Sequence, residues 1–393
     1  MKRFFAIMLC IALNCGCWAL NNDTIEFSLL TCYPGNHVYS LYGHTAIRYL
    51  NKSHNEDFTF NYGMFNFRQK NFVWNFALGK TDYELGVCRF TDFVKDYELQ
   101  GRRVVEQVLN MTDGQKEVLR FLLFQNWRPE NATYRYNYFY DNCTSRARNI
   151  IFEAINSDSC QIVFKGENTK SATWRENLHQ YSKNHPWAQL GNDLALGQPA
   201  DRQMSEEESQ FLPLNMMDDM NKAMVVTNSM EIPLVSCTNI IAEGNSKERF
   251  ATYQNEFVLT PLQCAAILAL ICVVVFFIEL KRRKIHLWFD VLLMAVQGAA
   301  GCVLTLLLFS DHPAIFMNWQ ILVICPLAIL AIPFVVIADR KKKISQWFLY
   351  EILACLALFI IDAFGVQDIP LFSEIMAMCL LTRILSRKKI FAN

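Results

Sequence analysis

The chain has 393 residues, is 52% hydrophobic and 13% aromatic, and carries 37 basic and 37 acidic side chains with no net charge. That balance excludes a nucleic-acid binder working through a broad basic field. Most acidic residues precede residue 260 and apolar runs dominate beyond it, so two unlike halves are expected.

The first residues predict an export signal. Lys2 and Arg3 form a basic start, Phe4 to Leu13 an apolar core, and Cys17-Trp18-Ala19 a small-x-small site, so residues 1–19 are expected to be removed. Lipidation at Cys15 or Cys17 stays open, although Asn14 and the lack of a Leu-small-small-Cys run disfavour it.

Residues 20–259 are enough for one exported domain, with an appended helical lobe at about 156–230. Ile25 to Thr31 alternates and predicts a strand that ends in the Pro34-Gly35 turn. Thr45 to Leu50 and Phe58 to Tyr62 predict two more strands, joined by the polar Asn51 to Asp57 loop, and Arg103 to Leu109 a fourth. Thr112 and Gln115 form a capping-box pair ahead of Val118, Leu119, Leu122 and Leu123, the pattern of an amphipathic helix. A Tyr-rich run, Tyr134 to Tyr140, leads into a second helix from about Asn142 to Ile155. Glu206 to Val226 reads as another amphipathic helix, and Glu243 to Glu256 as a polar linker. Helices flanking a small antiparallel sheet give an α+β domain.

Five apolar stretches follow, at about 261–280, 287–309, 317–338, 346–364 and 371–386, and predict an all-α transmembrane domain over 260–393. Basic clusters at Lys281 to Lys284, Arg340 to Lys343 and Arg387 to Lys389 follow the first, third and fifth stretches. The loops Ser310 to Phe316 and Gly365 to Pro370 carry no Lys or Arg. The positive-inside rule then places residues 20–259 outside and the C-terminus in the cytoplasm. Glu279, Asp290 and Asp362 fall near span ends, where they are expected to snorkel to water.

Cys32, Cys88, Cys143, Cys160 and Cys237 belong to the exported domain, an odd number that leaves at least one thiol without a partner inside it. Their spacing fits no metal knuckle, and no metal is expected. Cys143 sits where a helix begins, with Asp141 or Asn142 as N-cap, and a helix N-terminus favours the thiolate. Its exposed N–H groups could also hold an oxyanion. The competing reading of Cys143 is a small buried hydrophobe. His44, entering a strand, has the geometry of a general base beside a thiol nucleophile, with His37 and His54 as competitors. Asn61, on the adjacent strand, is the candidate that orients the imidazole, against a plain strand-end role. Tyr42 and Asn142 are candidates for the oxyanion site, and Arg48, like Arg146, for binding phosphate or carboxylate. His312, in the outer loop Ser310-Asp311-His312-Pro313, is a candidate for contact with lipid at the headgroup level. A Cys/His pair at a lipid surface suggests acyl chemistry through a thioester.

The order His before Cys, with His at a strand start and Asn-Cys at a helix start, resembles the circularly permuted papain-like fold of NlpC-type and lecithin:retinol acyltransferase-like enzymes. Longer strings are more specific: Gly43-His44-Thr45-Ala46-Ile47-Arg48, Asn61-Tyr62-Gly63-Met64-Phe65, Tyr138 to Arg148, and Pro186-Trp187 followed by Asp193 to Gly197. Together with the Asp311-His312-Pro313 loop they resemble the Lnb family of bacterial lipoprotein N-acyltransferases; Asn192 departs from it, standing where an apolar residue is expected. The resemblance implies an inner-membrane enzyme with a periplasmic catalytic domain. Cys143 would be its nucleophile and His44 its base, a phospholipid the acyl donor and a diacylated lipoprotein the acceptor, with no cofactor. A membrane-anchored cysteine hydrolase of cell-wall peptides or lipids and a non-catalytic envelope scaffold are the competing readings.

Overall fold

The computed structural model describes residues 24–65, 70–158, 160–165, 172–227, 230–245 and 257–391. The expected signal peptide and most of the 243–256 linker lie outside the described residues. The N-terminal half is built on strands β1 (Ile25–Cys32), β2 (His44–Asn51), β3 (Glu56–Met64), β4 (Asp82–Arg89), β5 (Val104–Leu109), β6 (Thr133–Arg135) and β10 (Val235–Ala242). They form one seven-stranded sheet in the order β10-β5-β1-β2-β3-β4-β6, every described pairing antiparallel.

Alternation assigns the two faces. Phe27, Leu29, Ile47, Tyr49, Phe60 and Tyr62 pack against helix α3 (Asp113–Asn126) through Leu119 and Leu123, and against helix α4 (Cys143–Asn156) through Ile150, Ile151, Ala154 and Ile155. On the reverse face Leu30, Cys32, Ala46 and Val104 meet Phe90 and Phe93 of helix α2 (Phe90–Leu99). Each such Leu, Ile or Phe contributes about 1.5–3 kcal/mol on full burial. Thr112 caps α3 in the expected capping box with Gln115. The short helix α1 (Phe72–Ala77) links β3 to β4.

The lobe is mixed rather than helical. Helices α5 (Trp174–Ser182), α6 (Pro186–Ala195) and α7 (Pro213–Met220) accompany a three-stranded sheet of β7 (Gln161–Phe164), β8 (Ala223–Val226) and β9 (Glu231–Pro233). The single helix expected over Glu206 to Val226 is therefore replaced by a four-residue turn at Glu206–Ser209, α7 and β8. Pro213 can open a helix but cannot continue one, and Val225 and Val226 pair with β7.

The C-terminal third is helical: α8 (Pro261–Arg282), α9 (Leu287–Leu307), α10 (Leu327–Arg340), α11 (Trp347–Ala363) and α12 (Leu371–Phe391). Among the described residues three segments are long and apolar enough to cross a membrane: Pro261–Arg282, Leu287–Leu307 and Trp319–Arg340. The third joins a 3-10 turn, Trp319–Leu322, to α10. Polar contacts weld this bundle to the lobe. The Gly197 N–H donates to the Ala314 carbonyl at 2.8 Å, and a Cβ there would lie 2.1 Å from the Phe316 carbonyl oxygen. The side-chain amides of Asn318, Gln320 and Gln367 donate to the carbonyls of Leu194, Asp193 and Leu196.

Glu279 and Asp290 do not snorkel. Both are buried in an ion cluster, where Arg383 donates to Asp290 at 2.7 Å and to Glu279 at 2.6 Å. Arg387 donates to Asp290 at 2.6 Å and also pairs with Asp339, and the Ser386 hydroxyl donates to Glu279. The cluster ties α8, α9, α10 and α12 together. Replacing Arg383 by Met leaves two buried carboxylates short of a partner and is expected to cost about 3–5 kcal/mol. Thermal unfolding of the detergent-solubilised protein would read this as a lowered midpoint, and an unchanged midpoint would show the cluster to be dispensable.

Candidate active site

Cys143 is the first residue of α4, and its position is set by the residue before it. The Asn142 side-chain oxygen accepts from the N–H groups of Thr144 and Ser145 at 2.8 and 2.9 Å, and the Ser145 hydroxyl accepts from the Asn142 N–H at 2.8 Å. The Asn142 amide nitrogen donates to the carbonyls of Tyr138 and Phe211, both at 2.9 Å. Asn142 is thus a saturated N-cap with no donor left over. Of the helix-start N–H groups considered for an oxyanion, those of Thr144 and Ser145 are consumed by the same cap. The N–H of Cys143 lies outside that cap and instead faces the Tyr136 hydroxyl oxygen, which accepts from it. Burial pushes the Tyr136 hydroxyl well up, so at neutral pH it keeps its proton and can donate.

His44 opens β2, and the hydroxyls of Thr45 and Thr144 meet at 3.0 Å, clamping that strand end to the first turn of α4. The imidazole then lies within hydrogen-bonding reach of the half-buried Cys143 sulfur. Burial raises the thiol pKa. The charge and hydrogen bond of His44, the Thr45 backbone and the Thr144 hydroxyl outweigh it, and the net pKa falls below the ordinary thiol value. The structure also places Asn61 beside His44, its Oδ1 at 3.4 Å from Nε2. The Asn61 amide nitrogen is committed to the Thr59 carbonyl and the Cys88 sulfur, so Oδ1 faces the ring as acceptor. A proton on Nε2 leaves Nδ1 free to take the thiol proton.

The wall opposite is aromatic. Register in β3 is interrupted between Asn61 and Met64, with Gly63 at φ +86°. A Cβ on Gly63 would meet the Cys143 Cβ and the Tyr136 ring, each at 3.4 Å. Tyr136 stacks on Tyr83 with centroids 4.1 Å apart. Gly63 and Tyr136 were not singled out from sequence; a glycine ending an alternating strand and a Tyr-rich run before a capped Cys are the signals that point to them.

The remaining candidates lie elsewhere. The Arg48 fork grips Asp57 at 2.7 and 2.8 Å, reaches Glu106 at 2.8 Å and stacks on Phe90, so it cross-links β2, β3 and β5 instead of binding an anion. Arg146 likewise grips Asp141. The Tyr42 hydroxyl accepts from Asn192 at 2.6 Å, which gives the departing Asn192 a partner in the fold. Burial pushes that hydroxyl up to about 12. His37 stacks on Tyr39, and His54 pairs with Asn51 at the far end of β2. His312 contacts Phe76, not the Cys143–His44 pair. Among the described residues all cysteines are free thiols and no cluster could hold a metal ion.

Two family models match the chain: the Lnb N-terminal periplasmic domain over residues 18–179 and the Lnb transmembrane domain over residues 252–391. The chain belongs to the Lnb family, as an inner-membrane protein with a periplasmic N-terminal domain and a membrane-spanning C-terminal region. No curated protein and no solved structure matches it.

A lowered pKa means that the thiolate persists to lower pH. Alkylation of Cys143 by iodoacetamide, followed on its peptide by mass spectrometry, is expected to show a midpoint below the usual thiol value of about 8.5. His44→Ala removes the counter-charge while burial remains, so the midpoint should rise. An identical midpoint in both proteins would dissociate His44 from the thiol.

Proposed function

We propose that this Lnb-family protein is a lipoprotein N-acyltransferase that moves an acyl chain from a membrane phospholipid to the N-terminal amine of a diacylglyceryl-cysteine lipoprotein. The observation that carries the reading is a capped, half-buried thiol of lowered pKa held against an imidazole, in a periplasmic domain welded to a membrane bundle. His44 on a strand and Cys143 at a helix start also support a circularly permuted papain-like arrangement. The basic clusters support five spans with a cytoplasmic C-terminus.

The chemistry follows from the two side chains. His44 takes the thiol proton, and the Cys143 sulfur attacks the ester carbonyl of the phospholipid. The tetrahedral oxyanion is held by the Tyr136 hydroxyl. Collapse breaks the ester C–O bond, and His44 returns the proton to the leaving alkoxide, giving a lysophospholipid and a thioester on Cys143. The lipoprotein amine then attacks the thioester, loses its proton to His44 and expels the thiolate as the amide forms. Asn61 holds the ring in the tautomer that these steps need.

Mass spectrometry of lipoprotein N-termini tests it, in cells that carry this enzyme as their only N-acylating one. Cys143→Ser should abolish triacylated N-termini and let diacylated ones accumulate. Unchanged triacylation in the Cys143→Ser strain would sink the proposal, and release of free fatty acid without N-acylation by the wild type would favour a lipid hydrolase.

A further inference from the structure

We propose that α1 is a membrane foot, its exposed side chains Val73, Trp74 and Phe76 immersed among the phospholipid acyl chains of the outer leaflet. The exported domain would then sit in the lipid surface rather than above it. None of the residues of α1 is buried, and Val73, Trp74 and Phe76 are 78%, 55% and 50% exposed. In water such exposed side chains form an apolar patch, whereas Trp and Phe are favoured where lipid meets water.

The helix is not loosely tethered. It ends in a paired C-cap in which Lys80 N–H donates to the Asn75 carbonyl at 2.7 Å and Gly79 N–H to the Phe76 carbonyl at 3.0 Å. Gly79 takes φ +68°, and a Cβ there would lie 3.1 Å from the backbone nitrogen of His312. The Asp311 N–H donates to the Leu78 carbonyl at 2.9 Å, and His312 Nε2 donates to the Phe76 carbonyl at 3.3 Å. Burial lowers the His312 pKa, which favours the neutral ring that makes this bond.

These contacts fix the height of the foot. Asp311 stands just beyond α9, a helix long and apolar enough to cross the membrane, and the intervening Phe309 is 73% exposed. The start of α8 marks the same end of the bundle, because consecutive helices run in opposite directions. There Trp187 donates its indole N–H to the Leu259 carbonyl at 2.9 Å and packs edge-on against Phe257. Two aromatic groups, each held to the chain at the same end of a membrane-crossing helix, identify the occupant as the bilayer and not a protein partner. A fixed foot also sets the height of Cys143 above the leaflet.

The test is photo-crosslinking of the full-length protein in nanodiscs of phosphatidylethanolamine and phosphatidylglycerol. Benzoylphenylalanine is placed, in separate variants, at Trp74, at Val73, at Leu270 on α8 and at Ser53 in the hairpin at the other end of β2 and β3. Phospholipid adducts are expected at positions 74, 73 and 270 and not at 53. Adducts at 270 alone, or protein adducts in place of lipid at 74 and 73, would overturn the proposal. The adduct reports depth and not turnover, so its outcome does not depend on acyl transfer being the reaction.

Discussion

The chemistry rests on one junction, where the first turn of α4 meets the first residues of β2. The Thr45–Thr144 contact at 3.0 Å and the saturated amide of Asn142 hold it. In stability an N-cap contributes about 1 kcal/mol. Its positional effect is larger, because a small displacement takes the sulfur out of reach of the imidazole. Cys32 shows what the junction does. It lies directly opposite His44 in the sheet register, yet burial pushes its thiol up to about 12. Two thiols neighbour the same histidine, and the one at the helix start is the one whose pKa falls.

Local signals made much of the N-terminal sheet readable. Alternation located β1, β2, β3 and β5 to within one or two residues, and the Thr112–Gln115 pair located α3, because each signal sits inside the element it marks. A cap at Asp141 or Asn142 opening a helix at Cys143 was legible for the same reason, and the structure puts the cap at Asn142. β4 was not, because its Tyr83-Leu85-Val87 alternation is short and contains Gly86, a weak strand former, and β10 was not because an edge strand keeps most of its side chains in water. Partners distant in sequence stayed hidden. Arg48 looks like an anion binder until the register brings Asp57 and Glu106 to it. Glu279 and Asp290 look like snorkelling acids until α12 supplies two arginines.

The contact between lobe and bundle is made largely by uncharged groups, with one carboxylate, Asp201, accepting from the Asp368 N–H. Asn318, Gln320 and Gln367 reach backbone carbonyls through uncharged amides, and behind them Arg175 is bound by Asp193 and Asp201. Uncharged donors keep their bonds across a wide pH range and are screened little by salt. A protein exposed to a variable periplasm therefore holds its periplasmic domain against the membrane by a joint that changing conditions hardly touch. The close backbone approach at Gly197 leaves little room for that joint to slide.

The ion cluster carries a consequence for how the chain is made. Its acids lie on α8, α9 and α10, while both arginines lie on α12, the last described helix. Synthesis is vectorial, so Glu279, Asp290 and Asp339 enter the bilayer region before their counter-charges exist. The bundle can close only when the C-terminal helix leaves the ribosome. A chain cut short before Arg383 keeps buried carboxylates without their cations, an unstable state that marks it as unfinished.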